Sequence, residues 1–87
     1  MSSHYLDAAD DCPVVTSFVA QIDIISTYGI QAKGLFVENA GAGTRVLEII
    51  TSAGQTRTLT VTTGEEIPVK TRAITTNTTI ASLRVYI

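Results

Sequence analysis

Residues with a branched β-carbon dominate this chain, because threonine, isoleucine and valine together supply 32 of its 87 residues. Such side chains are restricted at χ1 and pack well on a pleated surface, so their enrichment favours strands over helices. In several segments apolar and polar residues also alternate, as in a strand with one buried face. We therefore predict an all-β fold, a small β-sandwich or jelly-roll-like barrel of about six to seven antiparallel strands.

The predicted strand boundaries follow this alternation and the turns between the segments. Residues 17–24 are predicted to form a half-buried strand, and a bulge near Gly34 would reconcile the two parities of the apolar residues around it. Residues 35–63 are predicted to form a β-meander, in which residues 44–51 are covered on both faces. The last predicted strand, 81–87, directs four apolar side chains inward: Ala81, Leu83, Val85 and Ile87.

Charge is distributed unevenly along a chain whose net charge is −2. Residues 1–23 contain four aspartates and no lysine or arginine, whereas residues 24–87 contain four glutamates against six basic residues. We divide the chain into an acidic N-terminal arm, residues 1–16, and a single β domain, residues 17–87. The arm is either a solvated tail or a segment that docks on a basic neighbour.

The sequence offers few candidates for catalysis or metal binding. His4 and Cys12 are the only histidine and the only cysteine, too few for a zinc site or for a nucleophile with an oriented base. We therefore predict that the protein is not an enzyme, with no catalytic residue, metal or cofactor. The net acidic composition disfavours nucleic acid as a partner. No apolar run approaches the length that a membrane span needs, so we also expect no membrane association.

Ten residues are candidates for a protein interface. They comprise acidic residues of the arm, two aromatic anchors, four basic residues that would form a patch if their strands adjoin, and a proline. The proline belongs at a sheet edge or a strand start because it has no N–H to donate. In chain order the candidates are Asp7, Asp10, Asp11, Phe36, Arg57, Pro68, Lys70, Arg72, Arg84 and Tyr86.

The size of the chain also indicates how it is stabilised. A chain of this length buries only about 63% of its unfolded surface, which is a thin core. A single cysteine cannot form an internal disulfide that would compensate. We therefore expect a homo-oligomer, in which neighbouring subunits supply the missing burial.

Four short motifs lie in the last two thirds of the chain: Gly34-Leu35-Phe36-Val37, Ile67-Pro68-Val69-Lys70-Thr71-Arg72, Thr76-Asn77-Thr78-Thr79 and Leu83-Arg84-Val85-Tyr86. With these motifs, residues from about 30 to 87 resemble the small head spike base proteins of gene transfer agents and related tailed phages. The resemblance implies a structural protein of the virion, made in the host cytoplasm and assembled as a symmetric oligomer on the capsid exterior. It implies the major capsid protein and a fibre protein as partners.

Two alternatives to a spike base, decoration or cement subunit stay open at this stage. One is a tail or baseplate adaptor of the same kind of particle. The other is a small carbohydrate-binding β module, which would stack sugar rings on aromatic side chains. Five aromatic residues are available for such stacking: Tyr5, Phe18, Tyr28, Phe36 and Tyr86.

Overall fold

The structure is a computed structural model that describes residues 9–43 and 45–87. In these residues it contains eight short strands and one helical turn. In chain order they are β1 (Val14–Val15), β2 (Ile22–Asp23), α1 (Ile24–Tyr28), β3 (Gly34–Asn39), β4 (Arg45–Thr51), β5 (Thr56–Val61), β6 (Glu66–Ile67), β7 (Thr71–Ile74) and β8 (Ser82–Tyr86).

The strands form two four-stranded antiparallel sheets, which we call sheet A and sheet B. Sheet A has the order β1-β8-β3-β6, and sheet B has the order β2-β7-β4-β5. The sheets do not close into a barrel, so the predicted all-β fold is confirmed as a small sandwich. The described part of the chain holds more strands than predicted because β1, β2 and β6 have two residues each, too few for alternation to show.

The core lies between the two sheets and is built from the alternating residues of the longer strands. Leu35 and Val37 of β3 are fully buried and lie opposite Val85 and Leu83 of β8, which are also fully buried. Sheet B contributes Leu47, Ile49, Val61 and Ile74 to the same cluster. The inward direction predicted for Leu83 and Val85 is therefore confirmed, whereas Ala81 is exposed.

The predicted strand at residues 17–24 is wrong over most of its length. Only Ile22 and Asp23 are extended and paired, and the helical turn α1 begins at the next residue. The Asp23 carboxylate caps α1 by accepting a hydrogen bond from the Ser26 backbone N–H, 3.2 Å away. Gly29 ends the turn with a φ of 83°, a left-handed conformation that favours glycine. These two local signals override the alternation of the apolar residues.

Near Gly34 the buried apolar residues switch from even-numbered to odd-numbered positions. This switch occurs because the chain crosses from one sheet to the other, and the predicted bulge at this position is wrong. Ala32 forms an isolated bridge with Thr71 of sheet B, whereas Gly34 already pairs within sheet A. A chain that crosses from one layer to the other must also change the parity that faces the core. The register irregularity of β3 lies further along, between Val37 and Asn39.

The predicted meander is wrong as well, because β3 and β4 belong to different sheets. β3 pairs with β8 and β6, and β4 pairs with β5 and β7. The hairpin of β4 and β5 is nevertheless present. In β4, Leu47 and Ile49 are fully buried while Val46 and Ile50 are half-buried, so the outer face is only partly covered.

Residues 10–15, which belong to the predicted arm, lie against the last strand of the domain. The backbone N–H groups of Asp10 and Asp11 donate to the Ile87 carbonyl at 2.6 and 3.1 Å, and the Ile87 N–H donates to the Asp11 carbonyl at 2.9 Å. Val14 and Val15 then pair with β8. The second half of the predicted arm is thus an edge of sheet A. Asp7 and His4 lie outside the described residues.

Candidate functional site

The outer face of sheet A carries three of the predicted interface residues. Phe36 and Arg84 are directly opposite each other on β3 and β8, between Val14 of β1 and Glu66 of β6. These side chains alternate with buried ones and therefore point away from the core. Tyr86 follows two residues after Arg84 on the same side of β8 and is half-buried.

The charge of Arg84 is neutralised within the chain. Its Nε donates to Glu38 Oε2 at 2.9 Å and its Nη2 donates to Glu38 Oε1 at 3.3 Å. Its Nη1 donates to the Cys12 carbonyl at 3.2 Å, which fastens the start of the described chain to β8. The Glu38 hydrogen bonds are the main reason that the pKa of Arg84 is raised above its ordinary value. The Arg84 guanidinium is therefore engaged in contacts within the fold.

Two acidic candidates and one aromatic candidate meet at the end of β8. A shallow cavity of about 190 Å³ is lined by Asp10, Asp11, Cys12 and Tyr86, together with Ala9. Burial raises the pKa of Tyr86, because the phenolate would lose solvation there. The structure thus brings Asp10, Asp11 and Tyr86 together beside the C-terminal residue.

Three basic candidates lie at the end of sheet B where the hairpin of β4 and β5 turns. The Ser52 N–H donates to the Lys70 carbonyl, and Arg72 Nη2 donates to the Ser52 carbonyl, both at 2.9 Å. Arg57 is near the start of β5, on the other arm of the hairpin. All three are exposed, and within residues 9–43 and 45–87 none forms an ion pair. We call Arg57, Lys70 and Arg72 the basic end.

The predicted four-residue basic patch does not form. β5 and β7 are separated by β4, and Arg84 lies in the other sheet with its own acidic partner. Pro68 follows β6, the edge strand of sheet A, and is exposed. It lies next to a strand edge, as expected for a residue that cannot donate a ladder hydrogen bond.

A polar cluster around Glu48 on the outer face of sheet B was missed by the sequence analysis. Glu48 Oε1 accepts from Thr75 Oγ1 at 2.7 Å and from Asn77 Nδ2 at 2.8 Å, and its Oε2 accepts from Thr58 Oγ1 at 2.7 Å. These hydrogen bonds, led by that from Thr75, hold the pKa of Glu48 below its ordinary value. The Glu48 N–H also donates to Thr78 Oγ1. The cluster fixes the loop of residues 75–79 against β4.

An open groove of about 430 Å³ lies between the β1 edge of sheet A and the β2 edge of sheet B. We call this region the groove side, and none of its ten lining residues carries a charge. A second groove of about 370 Å³, also lined only by uncharged residues, lies across the loop of residues 16–19. The residues that line the first groove are Val14, Val15, Thr16, Ser17, Val19, Ala20, Gln21, Ile22, Thr27 and Tyr28.

The groove side also concentrates exposed apolar surface. Within the part of the chain that the structure describes, the exposed large apolar side chains are Val14, Val19, Ile25 and Ile30. Val19 is 92% exposed and lines both grooves, and Val14 lines the first, whereas Ile25 and Ile30 line neither. The segment of residues 14–32 contains a single charged residue, Asp23, whose carboxylate caps α1. Tyr28 is the one aromatic residue that lines the first groove, so this groove offers a single ring for stacking.

The described histidine, cysteine, aspartate and glutamate residues form no cluster of three or more that could hold a metal ion. In the same residues no helix has the length and apolar character required to span a bilayer. Comparisons with protein-family models, with curated proteins and with solved structures found no match to this chain.

Proposed function

We propose that this protein is a non-enzymatic structural component of a tailed phage or phage-like particle. In this proposal it is a spike base, decoration or cement subunit that attaches to the capsid as an oligomer. The resemblance of residues from about 30 to 87 to head spike base proteins supports it. The segments with that resemblance include β3 and β8, which pair with each other at the centre of sheet A.

The observation that carries the proposal is the uncharged, partly apolar surface of the groove side. Exposed apolar surface on a small domain marks a site of association with another protein, a membrane or a ligand. Here Val14 and Val19, two of the four exposed large apolar side chains among the described residues, line the first groove, and Val19 also lines the second. A structural subunit uses such surfaces because many modest contacts, repeated by symmetry, give stable attachment.

Charge offers a second means of attachment. In the proposal, the acidic residues of the arm dock on a neighbouring subunit or on the shell. Asp10 and Asp11 are exposed although their backbone is fastened to Ile87, so their carboxylates are available to a basic partner. The basic end presents the opposite charge at a different place on the domain.

The experiment that tests this proposal is purification of the virus-like particles made by the source cells, followed by electron microscopy. We expect the chain to co-purify with intact particles in a fixed ratio to the major capsid protein, and to give density on the capsid exterior. Density at the tail or baseplate would support the adaptor alternative instead. If the chain remains in the soluble fraction and no particle carries it, the proposal is refuted.

A variant with Asp10→Asn and Asp11→Asn tests the role of the acidic residues within the same experiment. These changes remove two negative charges and preserve the size of the side chains. We expect fewer copies per particle at a given protein concentration. A control, Glu65→Gln, removes one negative charge on the turn between β5 and β6, where the glutamine oxygen can still accept the hydrogen bonds from Thr62, and should leave the copy number unchanged.

A further inference from the structure

We propose that the groove side is the surface through which copies of this chain bind one another. The proposal rests on the oligomeric part of the function proposed above and names the surface and its occupant. The occupant is a second copy of the same chain, and the contact is apolar.

The shape of the groove side supports this occupant. Val19 projects from the loop of residues 16–19 and is 92% exposed, while the groove next to it is walled by Val14, Ile22 and Tyr28. A projecting apolar side chain and an uncharged groove with half of its lining apolar therefore occur on one surface. Two copies can each place the loop of one against the groove of the other, which is the reciprocal arrangement of a self-complementary interface.

The absence of charge from the lining residues is the second argument. The molecule carries a net charge of −2, so most orientations of two copies place like charges near each other. The two grooves are lined only by uncharged residues. Two copies that meet there bury no unpaired charge from the groove lining; Asp23, the one charged residue of the segment 14–32, lines neither groove. A partner with a strongly charged surface would gain nothing from this side.

The position of the groove side leaves the other surfaces available. β1 and β2 form one lateral side of the sandwich, while β6 and β5 are at the opposite ends of the two sheets. Arg57 of the basic end is on β5, away from the groove. A subunit can therefore bind a copy through one side and a charged partner through another at the same time.

The test is the oligomeric state of the full chain by sedimentation and light scattering over a range of concentrations. Wild type is expected to self-associate. Val19→Glu is expected to raise the dissociation constant of the oligomer by at least about 100-fold, because each interface would then contain buried like charges. Val19 is so exposed that the fold of the variant should be unchanged in circular dichroism. The control is Ala53→Glu, which adds the same charge at an exposed position in the hairpin and should associate like wild type.

Salt provides an independent measurement. Contacts between charged groups weaken as the Debye length falls from about 10 Å at 0.1 M salt to about 3 Å at 1 M. The self-association constant should therefore change little over this range. A contact between the acidic arm and a basic surface would instead weaken strongly.

Three results would overturn the proposal. They are a wild-type protein that stays monomeric at high concentration, a Val19→Glu variant that associates like wild type, or a loss of association in Ala53→Glu while Val19→Glu still associates. The particle experiment reports separately on the proposed function. Oligomers that depend on Val19 but never occur on particles would support this interface and refute the virion assignment. Protein that occurs on particles but whose oligomer forms equally well with Val19→Glu would support the virion assignment and refute this interface.

Discussion

The cross-strand pair of Leu47 on β4 and Leu59 on β5 gives the sharpest test of how this small core is stabilised. The two residues are direct partners in the hairpin, but Leu47 is fully buried and Leu59 is only half-buried. The same substitution to alanine removes the same atoms at both positions. Only the environment of the side chain differs, so the pair serves as its own control.

The expected magnitudes follow from burial. Truncation of a buried leucine to alanine costs about 2–5 kcal/mol, and we expect about 3.5 kcal/mol at Leu47 because no part of it is exposed. At Leu59 we expect about 1.5 kcal/mol, since solvent already reaches the side chain. A domain of this size has a total free energy of unfolding of about 4–13 kcal/mol. Leu47→Ala therefore removes a large fraction of the stability.

Urea denaturation followed by circular dichroism measures both losses. The protein concentration must be the same for all variants, because the proposed self-association would make the unfolding midpoint depend on concentration. We expect Leu47→Ala to lose about 2 kcal/mol more than Leu59→Ala, which corresponds to a further decrease in Tm of roughly 8–16 °C. Equal losses at the two positions would refute the assignment of Leu47 to the packed interior and of Leu59 to its margin.

Two further predictions concern local features. The hydrogen bonds to Glu48 lower its pKa from the ordinary 4.5, so their stabilisation is present above that pH and is lost as the pH falls through the lowered value. Glu48→Gln should accordingly flatten the loss of Tm below pH 4.5, and a slope identical to that of wild type would contradict the role of this carboxylate. Gly29→Ala should cost about 1 kcal/mol in thermal unfolding, because a Cβ there meets no neighbouring atom but the φ of 83° is strained. If Gly29→Asn costs as much as Gly29→Ala, backbone strain is not the cause, since asparagine tolerates this conformation better.

The parts of the fold that the sequence predicted best are those where one alternation runs through a whole strand. Leu83 and Val85 of β8 alternate with outward polar residues and are buried as expected. Residues 17–24 show the same alternation, yet the Asp23 cap and Gly29 turn the chain into α1. The alternation of apolar and polar residues indicates which side chains can share a face of a strand. Whether the chain stays extended also depends on local hydrogen bonds to the backbone.

The electrostatic contacts could not be predicted because their partners are remote in sequence. Glu38 and Arg84 are 46 positions apart, and the partners of Glu48 come from positions 58, 75 and 77. Only the sheet order brings these residues together. Arg84 was therefore a plausible interface residue in the sequence, although its guanidinium is engaged by Glu38 in the fold.

The distribution of charge gives a physical reason for the proposed separation of a self-binding surface from a partner-binding surface. Each added copy in an oligomer brings a further net charge of −2, so repulsion grows with assembly size unless the copies meet where charge is absent. The groove side meets this condition. Charged groups are then useful on surfaces that remain exposed after assembly, where they can select a partner of opposite charge. Arg57 is in such a position, because it forms no ion pair in the part of the chain that the structure describes and lies on β5, at the opposite end of sheet B from β2.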